Sequence, residues 1–174
     1  MITILLLLTL CYYHKEKIMS NRIISGTAYW AHVLTPNTKF NSDGEWSIEI
    51  CNLDAKNKKI AEGDGLSIKN KSDDRGDFVT LKQYARTKDG TPRAMPVKDS
   101  LRNSFPTDKR IGNGSKVNAS YFPKEYSAYG GGVKGYLLGV QVVDLVEYSG
   151  GAEDFAVVED GYVNDLTDDI PFPG

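Results

Sequence analysis

Residues 45–53 set Trp46, Ile48 and Ile50 in alternation with Glu45, Ser47 and Glu49. A two-residue period of this kind folds as a strand with one buried face and one wet face. No stretch repeats apolar residues every three to four positions over a comparable length, so the chain is built mainly from strands. Similar runs recur at residues 22–34, 66–70, 78–86, 116–122 and 133–147, separated by turn signals. Gly26 interrupts the first run and marks a bulge or bend, and Pro36-Asn37 ends it. Residues 54–62 are polar and read as a short helix capped by Asp54 and stopped by Gly63. Residues 87–114 contain three prolines and form a long irregular segment, with a short helix expected at 97–103. Glycine-rich residues 126–132 connect the last two strands. Five or six short strands on this spacing make a small barrel or a sandwich.

A length of 174 residues suits one domain with appendages, here a body at residues 19–148 and a tail at 149–174. The apolar share of 40% and charged share of 25% exclude wholesale disorder and a polytopic membrane protein. Two cysteines, Cys11 and Cys51, and two histidines, His14 and His32, stand at unrelated spacings, so no disulfide framework, metal or other cofactor is expected and a reducing compartment is the default. Residues 1–13 are apolar and uncharged, too short for a membrane-spanning helix but of signal-sequence length. No base precedes the run and no small-residue cleavage site follows it. Residues 1–18 are therefore read as a non-native start upstream of Met19 or as a leader, disordered in either case.

Along residues 78–86, Phe78, Thr80, Lys82, Tyr84 and Arg86 share one face, while Val79, Leu81 and Ala85 share the other. Aromatic rings among cations suit unpaired nucleic acid, because rings stack on bases while Lys and Arg neutralise phosphates. Lys69 and Lys71 extend the basic stripe, as do Lys116, Phe122 and Lys124 further along the chain. The loop cations Arg93, Lys98, Arg102, Lys109 and Arg110 have no local acid run against them. Both tryptophans, Trp30 and Trp46, are assigned to the core. Gly112-Asn-Gly-Ser-Lys116 lacks the order of a phosphate-binding loop and reads as a turn. Asp73, Asp74 and Asp77 have no histidine or metal-type spacing nearby, so no catalytic site is assigned.

Charge is divided along the chain. All 21 Lys and Arg fall in residues 1–143 against 14 acids, giving +7, whereas residues 144–174 carry 9 acids and no base, giving −9. The acidic segment cannot bury enough apolar surface to fold alone. It ends with Asp168-Asp169-Ile170-Pro171-Phe172, which resembles the terminal peptide of bacterial single-stranded DNA-binding proteins, where Phe enters an apolar pocket on replication and repair partners. In that family the Phe is the final residue, whereas Pro173 and Gly174 follow it here. Tyr29-Trp30-Ala31, Gly44-Glu-Trp46, Phe78-Val-Thr-Leu81 and Ile111-Gly-Asn-Gly-Ser115 extend the resemblance, over residues 20–172, to the single-stranded DNA-binding proteins of short-tailed phages.

The resemblance implies a five-stranded Greek-key OB-fold barrel with long loops and a disordered acidic tail. It implies a non-enzymatic protein that coats single-stranded DNA without sequence preference in replication, recombination and repair, in the cytoplasm of an infected bacterial host. Phe78, Tyr84 and Phe122 are then expected to stack bases, and Lys69, Lys71, Lys82, Arg86, Lys116 and Lys124 to hold phosphates. Asp165, Asp168, Asp169, Ile170, Pro171 and Phe172 are expected to recruit DNA polymerase and helicase-primase. The resemblance also allows a homodimer, and implies no membrane partner. By simple electrostatics the −9 tail competes with DNA for the +7 body. An exported β-sandwich structural protein with a signal or lipid leader is the alternative, and an RNA-binding OB protein a third reading.

Overall fold

Strand periodicity and turn residues resolve into β1 (Arg22–Asn37), β2 (Glu45–Cys51), α1 (Ala55–Gly63), β3 (Lys69–Asn70), β4 (Asp77–Tyr84), β5 (Val97–Lys98), β6 (Lys116–Tyr126) and β7 (Gly132–Asp144). A 3-10 turn at Ala128–Gly130 tips the β6–β7 hairpin. The computed structural model describes residues 21–148, so the expected 1–18 leader and the DDIPF tail lie outside the described residues.

The first half of β1 pairs antiparallel with β6 and the second half with β2. Strand β2 pairs with β4, and β6 with β7. A parallel contact of β4 with β7, at Leu81↔Gly135 and Lys82↔Tyr136, closes the ring β1-β2-β4-β7-β6. This is a closed five-stranded barrel of OB-fold type. One sheet curls on itself, so the sandwich expected under the alternative reading does not form.

Alternate side chains fill the barrel. Ile24, Ile48, Ile50, Leu81, Ala119, Tyr121 and Leu137 are fully buried. Burial of this apolar surface is the main stabilising term. Closure demands a residue without a side chain on β7: a Cβ at Gly135 would stand 2.5 Å from Leu81 Cδ2. Helix α1 packs at one end. Asp54 Oδ1 accepts from the Asn57 N–H at 2.8 Å, an N-cap that holds the Asp54 carboxyl below the usual carboxylate range. The buried Asn57 in turn accepts from the Ser25 N–H at 2.8 Å, tying the helix to β1. Just beyond the helix, Asp64 accepts from the Tyr121 hydroxyl at 2.7 Å and pairs with Arg22 Nε at 3.2 Å.

Three local expectations fail for identifiable reasons. The break in β1 falls not at Gly26, which stays in register with Val117, but between Tyr29 and His32. Gly26 serves close approach instead, because a Cβ there would meet the Cys51 carbonyl oxygen at 2.6 Å. Residues 97–103 do not form a helix. Val97 and Lys98 add to the edge of β7, and Asp99 Oδ1 accepts from the N–H groups of Leu101 and Asn103, turning the chain. Trp46 packs against the core as expected, but Trp30 is 59% exposed.

Candidate nucleic-acid interface

The outward faces of β4, β7 and β6 meet at the closure of the barrel. In register, Lys82 stands beside Tyr136, and Tyr136 opposite Phe122. Lys124 stands opposite Lys134. Lys134 Nζ lies 4.9 Å from the Tyr84 ring centroid and 5.4 Å from that of Tyr136, with Lys124 Nζ 6.0 Å from the Tyr136 ring. These cation–π contacts set two lysines against two rings without neutralising the lysines. Tyr84 is 46% exposed, and Phe122 and Tyr136 are half-buried, so flat apolar surface and positive charge face solvent together. Such a surface can stack unpaired bases and hold their phosphates.

The neighbouring strand β2 has a different charge. Its outward residues are Glu45, Ser47 and Glu49, which stand opposite Tyr84, Lys82 and Thr80. Lys82 Nζ pairs with Glu45 Oε1 at 2.7 Å, and Arg75 Nη1 with Glu49 Oε2 at 2.8 Å. Lys82 is therefore a shared cation. Lys124 and Lys134 form no ion pair among the described residues.

The structure brings Lys82, Tyr84, Phe122 and Lys124 together and separates other expected residues from them. Phe78 has the outward parity of β4 but is only 1% exposed, because Arg75 lies over its ring at 4.9 Å. Its ring is not a free surface in this conformation, and this corrects its expected role as a base platform. Lys69 pairs in register with Phe78, at the foot of the cluster, and Lys71 follows in an exposed loop. Arg86 is exposed above Tyr84 in the hairpin after β4, where its Nη1 donates to the Gly90 carbonyl at 2.9 Å. Lys116 is exposed at the opposite end of β6, opposite Asp144 and about 20 Å along the strand from Phe122. The tail residues Asp165, Asp168, Asp169, Ile170, Pro171 and Phe172 lie outside the described residues.

Sequence reasoning missed Lys134 and Tyr136. The signal was present, because both alternate with the inward positions Val133, Gly135 and Leu137. The interrupting Gly135 hid it: glycine is the residue the closure requires, and it breaks the apolar side of the alternation. The loop carboxylates already have partners. Asp73 pairs with Arg75, Asp77 with Lys58, and Asp74 accepts from the Tyr29 hydroxyl at 2.9 Å. Among the described residues, no cluster of three or more His, Cys, Asp or Glu is placed to hold a metal ion. No helix among them is long and apolar enough to cross a membrane.

No protein-family model matches the sequence, and no curated protein matches it. Solved structures do match the fold. The gp2.5 single-stranded DNA-binding protein of bacteriophage T7 aligns with a TM-score of 0.58 at 22% identity, covering 84% of this chain and 100% of that one. The single-stranded DNA-binding protein of bacteriophage Enc34, solved in complex with single-stranded DNA, aligns with a TM-score of 0.54 at 14% identity, covering 70% of this chain and 85% of that one. A C-terminally truncated form of the Enc34 protein gives 0.53 at 16% identity.

Proposed function

We propose that the chain is a non-enzymatic protein that binds single-stranded DNA without sequence preference on the outward face of β4, β7 and β6. The observation that carries this reading is Lys134 set between the rings of Tyr84 and Tyr136, with Phe122, Lys82 and Lys124 beside them. Bases stack on the rings, and Lys124, Lys134 and Lys82 hold phosphates, extended by Lys69, Lys71 and Arg86. Lys116, opposite Asp144 at the other end of β6, lies outside this contact. The likeness of the fold to phage single-stranded DNA-binding proteins supports the same reading.

Within it, the protein coats single strands during phage replication, recombination and repair in the infected bacterial cell. Its tail, from Asp165 to Phe172, recruits polymerase and helicase-primase, and the chain is able to form a homodimer. The test is a titration of the full chain against oligo-dT, the matching RNA and a duplex at several salt concentrations. Binding to oligo-dT at least tenfold tighter than to duplex, and weakening with salt, is expected. Equal affinity for duplex removes the reading. Equal or tighter affinity for the RNA redirects it to RNA.

A further inference from the structure

A second aromatic surface lies away from the Tyr84 cluster, in a groove of about 470 Å³ on the far half of β1. Beyond Thr27, β1 has left β6, and residues 113–115 bond to the vacated edge while residues 110–112 pair with 146–148. The Ala28 N–H donates to the Ser115 carbonyl at 2.7 Å, and the Gly114 N–H to the Ala28 carbonyl at 3.0 Å. Trp30 and Tyr148 line the groove with His32 and Arg110, and Leu34 and Ile111 contribute apolar walls. Trp30 is 59% and Tyr148 57% exposed.

Trp30 is held in an unusual conformation. Its φ is +50°, a left-handed value that is an outlier for a bulky side chain, and its N–H donates to Asn113 Oδ1 at 2.9 Å. A tryptophan that served the fold would offset such strain by burying its ring. This one leaves most of the ring in solvent. The bulge and its hydrogen bond to Asn113 account for the backbone, but core packing does not account for a large flat ring left in solvent, and a ligand for the ring does.

We propose that this groove is a second base-stacking subsite, in which Trp30 and Tyr148 take an unpaired nucleobase and Arg110 holds an adjoining phosphate. The proposal rests on the single-strand binding read above and adds a distinct position on the same ligand. The path between the two sites is set by register. His32 stands opposite Ser47 on β2, and Ser47 opposite Lys82 on β4. Ser47 is the uncharged position between Glu45 and Glu49, so a phosphate backbone crosses the acidic strand there. The crossing from β4 to β1 is about 10 Å, two strand spacings, which one continuous single strand spans. A base suits the groove better than an apolar peptide does, because the rings are flat, exposed and bordered by a guanidinium.

The full chain is titrated with oligo-dT while tryptophan fluorescence is followed, in wild type, Trp30→Ala, Trp30→Phe, Trp46→Phe, Arg110→Ala and Tyr84→Ala. Trp30 is exposed, so its loss spares the core, and circular dichroism checks each variant. Trp30→Ala and Arg110→Ala are expected to weaken binding at least about fivefold. Trp30→Phe should retain most of the affinity but lose the quenching on binding, while Trp46→Phe keeps the quenching. If Tyr84→Ala weakens binding and Trp30→Ala does not, the second subsite is overturned and the first reading stands. Absence of wild-type binding overturns both. If Trp30 is quenched by a peptide of residues 165–174 but not by DNA, the groove belongs to the chain's own tail and the proposal falls.

Discussion

Two aromatic residues of the same strand and the same parity differ sharply in exposure. Tyr84 is 46% exposed beside Lys134, while Phe78 is 1% exposed beneath Arg75. Tyr84→Ala should therefore weaken oligo-dT binding by about 1–3 kcal/mol, the range for one stacking ring, with an unchanged melting temperature. Phe78→Ala should lower stability by about 3–5 kcal/mol, the cost of truncating a core aromatic, and reduce binding only in proportion to the fraction unfolded. Paired melting and binding curves separate the two. The lysines divide similarly. Lys134 sits between two rings of the proposed face, whereas Lys116 lies at the other end of β6. Lys134→Ala should reduce the slope of log affinity against log salt by about 1, the loss of one phosphate contact, and Lys116→Ala should leave it nearly unchanged. Parity alone predicts neither difference, since Phe78 and Tyr84 share a parity and Lys116 and Lys124 share another. The distinction depends on what the loop at residues 71–76 covers and on where β6 ends.

At the scale of elements, closure between β4 and β7 decides whether the face exists. Gly135 stands where a Cβ would come within 2.5 Å of Leu81 Cδ2, and Tyr136 is carried by the next residue. Gly135→Ala should destabilise the barrel by about 1–3 kcal/mol through overpacking and weaken oligo-dT binding by displacing Tyr136 and Lys134. Calorimetry and binding of the same variant test both. The loops and caps respond to acid. Asp54, Asp73, Asp77 and Asp99 all ionise more readily in the folded chain, Asp54 because the Asn57 amide bonds to it and Asp73 because of the Arg75 guanidinium. A carboxyl depressed in this way contributes stability above its unfolded value, about pH 3.9, and loses it as the pH falls through the folded value. The melting temperature should hold down to about pH 5 and fall below about pH 4. Asp54→Ala should lower it more at pH 7 than at pH 3, as thermal melts across that range will read. The strands β1, β2, β4, β6 and β7 and the Asp54 cap were legible in the sequence because each follows from local alternation or capping chemistry. Closure was not legible, because it pairs residues more than fifty positions apart in sequence. The outlying conformation of Trp30 was hidden for a related reason: the bulge is set by residues 113–115 bonding to an edge that β6 has left.

Over the whole molecule, the near-neutral total of −2 conceals +7 over residues 1–143 followed by −9 over residues 144–174. The described part of that contrast is the cluster of Lys82, Lys124 and Lys134, with the acids of β2 bounding it on one side. If the acidic segment competes with DNA for this face, both contacts are electrostatic and both weaken as salt rises. Their difference then weakens less than either alone. A chain lacking residues 152–174 should bind oligo-dT more tightly than the full chain at low salt and show a steeper decline of log affinity with log salt. The two lines should converge as salt rises, because the competitor is screened before the stacking contacts are lost. Parallel lines would mean that the segment lowers affinity by a salt-independent, non-electrostatic effect. Coincident lines would mean that it does not meet the face, leaving partner recruitment as its only proposed role.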